Sequence, residues 1–392
     1  MIAGAHFDPD LTRLLDATDQ VAREVVAAHA EAVDREARWP RESLGALQSA
    51  GLGGLVVPRD CGGHAQGLLA LARVCETIAR ECPSTALCYG MHCVGTAVVS
   101  AHATPSQKER YLAPIAAGRH LTTLALSEPG TGAHFYVPRT QMVPAGAQAF
   151  RLSGTKCFVT NGGYADSYVV SAAARATQAP MGHFSCVLVP ADAEGLEWGP
   201  PWDGLGMRGN ASRSVKLNRV RVSRALLLGK EGDEIWYVFN VVAPYFLVAM
   251  AGTYLGIAER ALAEATARLG ERAYDHSGSL LGDAPVLQHR LGWLWGLVER
   301  TRRLVYHAAA SFDRGEPDAL PAVMAAKAEV ADCVIAAVNE AMTLCGGVAY
   351  REGSTLQRLL RDARAAHVMA PTTDILRLWI GRTLLQRPLL GD

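Results

Sequence analysis

Ser127 and Thr160 are the residues whose setting first suggests chemistry. Ser127 ends an apolar stretch in "LALSEPGTGAHF" (124–135), and Pro129, Gly130 and Gly132 turn the chain directly after it. Glycine tolerates backbone angles at which successive N–H groups face outward, so such a loop can hold an anion or the polar edge of a ring. An ordinary turn has the same composition. In "KCFVTNGG" (156–163), Phe158 and Thr160 stand two apart, which predicts a shared face on a strand. An aromatic ring beside a hydroxyl suits a flat heteroaromatic ligand, and a Phe in a β-core reads the same way. Third, "LCGGVAY" (344–350) stops a long helix at Gly346 and Gly347, as a helix C-cap does.

Three kinds of segment must position these loops. From Leu11 to about Ala117 the pattern is helical: "LTRLLDATDQVAREVVAAHAEAVDREA" has apolar residues at three- and four-residue spacing, an amphipathic surface helix. "LLALARVCETIARECPSTALCYGMHCVGTAVVSAHA" is apolar on nearly every side and reads as one buried helix. Between about Leu121 and Gly229 short alternating or β-branched runs are cut by Gly, Asn, Pro and Asp. From Glu234 onward three helices of about seven turns follow, the pattern of an up-and-down bundle. The expected domains are 1–120 helical, 121–232 β and 233–392 helical, an α+β chain.

With 49% apolar and 19% charged residues over 392 positions, the chain can bury cores large enough for these parts to cooperate. Its 38 basic and 38 acidic residues cancel, so nothing in the totals favours nucleic acid or an anionic membrane. A small molecule or a protein is the expected partner. The nine cysteines are odd in number and lack paired CxxC units, which predicts no metal site and reduced thiols. Cys88, His92 and Cys93 read as core residues. "MIAGAHFDPDLTRLL" has no basic segment ahead of an apolar one, so the expected location is cytoplasmic, without a membrane span.

Order and spacing then add more than any loop. "GLGGLVVPRDCGG", "ATPSQKERYLAPIAAG", "LALSEPGTGAHFYVPRT", "LSGTKCFVTNGGYAD", "GLGMRGNASRSVKLNRVRV", "AGTYLGIAERAL", "CGGVAY" and "LLRDAR" follow one another in the order of motifs in the acyl-CoA dehydrogenase superfamily of flavoproteins, which the chain therefore resembles. The resemblance implies an N-terminal helical domain, a middle β-barrel domain and a C-terminal four-helix bundle, with FAD between the last two. It implies a homotetramer or homodimer and an acyl thioester substrate carried by coenzyme A or a carrier protein. An electron-transfer flavoprotein or a flavin reductase is the implied redox partner. By position, Leu126 and Ser127 would meet the flavin ring, and Gly132 with Ala133 the pyrophosphate. Phe158 would lie against the isoalloxazine, with Thr160 hydrogen-bonding near it. Arg272 would reach a partner's FAD phosphates, and Gly346 and Gly347 would let the backbone approach that FAD. Thr372 and Asp374 match positions beside the cofactor. Three departures predict that the adenosine half is held differently: Ala133-His134 replace Ser-Asp, Thr343 replaces a glutamine, and the segment after Arg272 has no Phe-Gly pair.

A further departure concerns the base. In the dehydrogenases that the chain resembles, a glutamate removes the α-proton of the thioester while a hydride leaves the β-carbon. Here "VMAPTTDI" puts Ala370 at that position, and Phe246, between Tyr245 and Leu247, at the alternative position on a helix. Neither accepts a proton. The nearest titratable groups are His367 and Asp374, weak candidates for a substitute base; Glu231, Asp233 and Glu234 read as a solvated helix start. Three readings stay open: a dehydrogenase with a non-standard base or an unusually acidic substrate, a flavin monooxygenase or oxidase, and a non-oxidative flavin-binding subunit of a heteromeric dehydrogenase. Pro371 also predicts that the last helix begins at or after it.

Overall fold

Proline and the change of hydrophobic period set most element boundaries. The computed structural model describes residues 9–132, 134–174, 184–232 and 235–390. Helix α1 (Pro9–Val21) continues through a π-turn at Ala22–Val26 into α2 (Ala27–Arg35), and α3 (Arg41–Ser49) follows. The long apolar segment is two helices rather than one, α4 (Leu68–Glu81) and α5 (Pro83–Ala101). Cys82 is extended (φ −145°, ψ 102°) because it precedes Pro83, which opens the next helix at its first turn. Every residue of α5 from Pro83 to Val99 is buried. The short helices α6 (Pro105–Gln107) and α7 (Ala113–Ala116) lead into the strands.

Strands β1 (Thr122–Ala125), β2 (Gln141–Pro144), β3 (Ala149–Val159), β4 (Ser167–Ala174), β5 (Phe184–Pro190), β6 (Leu196–Trp198), β7 (Arg213–Ser223) and β8 (Leu227–Leu228) form one sheet. Its order is β6-β7-β3-β2-β4-β5-β8, and β1 pairs in parallel with β4. Among the described residues β6 and β8 are not paired with each other, so the expected barrel is an open one.

After α8 (Ile235–Tyr237) come three long helices, α9 (Ala243–Glu271), α10 (Pro285–Asp313) and α11 (Ala319–Cys345), then α12 (Thr355–Ala363), α13 (Ala365–Val368) and α14 (Thr373–Leu384). Helix α11 packs on α9, α10 and α14, and α9 also packs on α4 of the first helical part. That last contact is very close. A Cβ on Gly252 would stand 2.2 Å from the Ala72 carbonyl oxygen, and one on Gly256 2.3 Å from that of Glu76. The stretch Val238–Glu271 is long and apolar enough to cross a membrane, but 89% of its most apolar window is buried inside the protein. The last helix starts at Thr373, after Pro371 as predicted.

Candidate functional site

The loop after β1 is held by a buried ion pair. Lys156, fully buried on β3, donates from Nζ to Glu128 Oε1 (2.6 Å), Ser171 Oγ (3.0 Å) and the Leu126 carbonyl (3.2 Å). Glu128 in turn accepts from the backbone N–H groups of Arg139 (2.7 Å) and Thr140 (3.0 Å), closing the loop at its far end. Burial pushes the Lys156 ammonium down to about 8, against the upward pull of Glu128. Burial also works to raise the Glu128 carboxyl, but Lys156 and the Thr140 amide outweigh it and hold it below its usual value. Ser127, half-buried between these two anchored neighbours, accepts a 2.8 Å bond on its carbonyl from the Cys157 N–H. Leu126 is buried. Gly132 takes a left-handed φ of +53°, and an added Cβ there would meet nothing. Ala133 lies outside the described residues.

Phe158 and Thr160 do not share a face. The register of β3 against β7 shifts between Lys156 and Val159, and this bulge breaks the two-residue alternation that the sequence suggested. Phe158 has φ +54° and is 66% exposed, edge-on to Trp202 at 6.3 Å. Thr160 is buried, its hydroxyl 3.2 Å from that of Ser212. A bulky residue in the left-handed region is strained and persists where its surroundings enforce it. Here the strain sets a large aromatic face outward beside the Ser127 loop.

Arg272, Thr343, Gly346 and Gly347 lie at the ends of α9 and α11, all exposed. The last turns of α9 and the end of α11 share the wall of a cavity of about 240 Å³ lined by Arg268, Cys345 and Val348 among others, and Arg272, Thr343, Gly346 and Gly347 lie next to these residues in the chain without lining it. The Arg268 Nε is buried there without a hydrogen-bond partner. Gly346 has φ +69°, and a Cβ on either glycine would touch nothing in this chain. Close approach at these glycines therefore needs a group from outside it. Thr343 donates back to the Asn339 carbonyl within α11.

The segment 366–374 is pinned from below. Lys327, fully buried on α11, donates from Nζ to the carbonyls of Ala366 (2.9 Å), Pro371 (3.0 Å) and Met369 (3.4 Å). His367 faces α11 on the outer side, its Nε2 2.9 Å from Asp332 Oδ1, and Arg377 reaches the same carboxylate at 2.5 Å. Asp332 is 48% exposed and Arg377 49% exposed, so His367 joins a surface ion cluster. Burial works against the Asp332 charge, but the bonds from His367 and Arg377 hold its carboxyl below the usual value. Asp374 is exposed in the first turn of α14. Ala370 is half-buried, and Tyr245 and Phe246 are half-buried at the start of α9. Burial pushes the Tyr245 phenol up to about 12. Glu231 pairs with Arg224; Asp233 and Glu234 lie outside the described residues.

Three features fit the flavin that the motifs imply. Phe158 offers an exposed aromatic face. Helix α14 receives no hydrogen bond from the side chain of its N-cap residue Thr372, so its first N–H groups are left without that cap. The Thr373 hydroxyl beside them is buried with no partner. A ring with polar edges would answer all three.

Sequence reading missed Lys327, Trp202 and Thr373, and it passed over the pairing of Glu128 with Lys156. Cys88, His92 and Cys93 are buried. His92 accepts from the Thr122 N–H and bonds the Gly53 carbonyl at 3.0 Å, and burial lowers its imidazole to about 4. No group of His, Cys, Asp and Glu with metal-holding geometry is present among the described residues.

Family models match nearly the whole length: acyl-CoA dehydrogenase, N-terminal domain, over residues 8–119, the middle domain over 123–220 and the C-terminal domain over 245–385. Cyclohexane-1-carbonyl-CoA dehydrogenase of Geobacter metallireducens is 32% identical over 372 residues, 94% of this chain and 95% of that protein. A probable acyl-CoA dehydrogenase of Bacillus subtilis, YngJ, is 29% identical over 93% of this chain and 95% of its own. The solved butyryl-CoA dehydrogenase of Megasphaera elsdenii has the same fold, with a TM-score of 0.91 over 97% of this chain and 100% of that one, at 24% identity.

Proposed function

This chain belongs to the acyl-CoA dehydrogenase family, flavin-dependent oxidoreductases acting on CH–CH bonds with FAD as cofactor, and from that premise we propose that it oxidises an acyl thioester without a carboxylate base at position 370. The thioester is carried by coenzyme A or a carrier protein. What supports this reading is a firmly held Ser127 loop with the outward-facing Phe158, together with Ala370 and Phe246 at the two places where the motifs that the chain resembles would carry the glutamate.

Bound at these residues, FAD would supply the acceptor for the β-hydride that the substrate loses. Phe158 would stack on the ring, and Ser127, Thr160 and the uncapped N-terminus of α14 would supply hydrogen bonds to its polar edges. Leu126 and Gly132 shape the loop, with Thr372 and Asp374 at the far wall. Arg272, Thr343, Gly346 and Gly347 serve the FAD of a second copy, which makes the protein a cytoplasmic homo-oligomer handing electrons to an electron-transfer flavoprotein. The α-proton passes to solvent from a substrate acidic enough to release it, because His367 is engaged with Asp332 at the surface and Asp374 is exposed.

An anaerobic titration of the purified protein with a panel of acyl thioesters tests this. Bleaching of the visible flavin band, with an enoyl product, is the expected result. A second reading, a flavin monooxygenase or oxidase, is favoured by Ala370 itself, since oxygen chemistry needs no α-proton base. Colour that persists with every thioester, but bleaches with NAD(P)H and a flavin reductase, would replace the first reading by the second.

A further inference from the structure

We infer that Lys327 is the positioning residue for the wall at the vacated base position: its ammonium fixes segment 366–371 through main-chain oxygens, so that the wall keeps its shape whatever side chain stands at 370. This rests on the reading that the segment faces the flavin, but the clamp can be tested without it.

An ammonium has three protons, and Lys327 spends them on three carbonyls, two of which belong to the residues flanking Ala370. All three partners are acceptors only. A neutral amine would turn a lone pair toward one of these oxygens, so the arrangement requires the charged form. No carboxylate pairs with it among the described residues. Burial drives the amine down to about 8, which still leaves it protonated at neutral pH.

Helix α13 ends at Val368, and a cation at its last carbonyls is the favourable end for a helix dipole. Five residues further along α11, Asp332 takes His367 and Arg377 from the outside. One helix therefore grips the segment on both sides. Nothing in this grip involves the Ala370 methyl group.

The test uses Lys327→Met in the full chain, with Lys327→Gln as a second variant that keeps two donors. Amide exchange of residues 366–372 is read in the FAD-free protein, and FAD affinity and the visible circular dichroism of the flavin in the loaded one. The expected result for Met is a folded chain whose segment exchanges about tenfold faster, binds FAD about tenfold more weakly and shows a changed flavin signal, with Gln recovering part of each. Unchanged exchange in 366–372 would overturn the clamp. Faster exchange with FAD affinity and flavin signal both unaltered would overturn its role at the cofactor wall. If Met fails to fold, Gln carries the same two outcomes. Should the wild type bind no FAD at all, the functional reading falls, while the exchange measurement still decides the clamp.

Discussion

Lys156 and Lys327 are both fully buried and burial pushes both ammonium groups down to about 8, yet they hold their loops by different means. Lys156 works through an acid: it pairs with Glu128, and Glu128 passes the grip to the N–H groups of Arg139 and Thr140. Lys327 works on carbonyl oxygens alone. An ion pair is unforgiving, because removing either partner strands a charge in low dielectric. A cation on neutral carbonyls leaves no charge behind when it is removed, only dipoles, each costing about 1–3 kcal/mol if it stays buried and unsatisfied. The Ser127 loop is thus built to be all-or-none. The wall at Ala370 is built to be firm but replaceable.

The largest expected effect follows from that asymmetry. Lys156→Met should cost about 3–5 kcal/mol, the usual penalty for breaking a buried pair, and should abolish FAD binding with it. The paired change Lys156→Met with Glu128→Leu should recover part of the loss, as read from denaturant midpoints. Equal destabilisation by the single and double variants would mean that the pair does not act as a unit, and the contrast with Lys327 would collapse.

Next comes pH. Each folded-state value lies below the 10.5 of a free lysine. The stability tied to each group is therefore present above 10.5 and is lost as pH falls through 8. A lowering from 10.5 to about 8 corresponds to roughly 3 kcal/mol. The unfolding free energy of the wild type, taken as a difference from Lys327→Met so that buried tyrosines cancel, should rise by that amount between pH 8 and 10.5. A flat difference would show that Lys327 bears no burial penalty and would separate the two lysines further than proposed.

Phe158, on the β3 bulge beside the Ser127 loop, sharpens the comparison. Its φ of +54° costs about 1 kcal/mol or more for a residue with a side chain, and glycine has no such steric cost there, only a smaller entropic one. Phe158→Gly should raise the melting temperature of the FAD-free chain slightly while weakening FAD binding about tenfold, the worth of one aromatic stack. A loss of both would make Phe158 an ordinary core residue.

How much of this was legible in sequence depends on where the partners lie. The β3 strand, the helix stop at Gly346 and the late start of α14 were readable because glycine, proline and alternation act locally. The break at Cys82-Pro83 was readable but was passed over in favour of a continuous apolar period. The outward turn of Phe158 was not, since a bulge is set by the opposing strand β7. Lys327 stands alone among alanines in "AVMAAKAEVA", which signals an unusual lysine. Its partners, though, are main-chain oxygens about forty residues away, and main-chain oxygens have no sequence signature.

The smallest effect is expected where the sequence raised its sharpest question. A well-placed base contributes about 10²–10⁴-fold to a rate, so Ala370→Glu would restore fast thioester oxidation if only the carboxylate were missing. The gain should stay under about tenfold. Pro371 fixes its own φ and confines residue 370 to extended angles, and Lys327 holds the oxygens of Met369 and Pro371 on either side. The new side chain would have to reach the substrate from a backbone that cannot turn to help it. Its carboxylate would also stand near a buried ammonium that pairs with no carboxylate among the described residues, and pairing with Lys327 would draw it away from the substrate. The rate of anaerobic flavin bleaching by an acyl thioester measures the gain. A hundredfold rise would show that the wall adapts to its side chain, and the firm grip assigned to Lys327 would have to be abandoned.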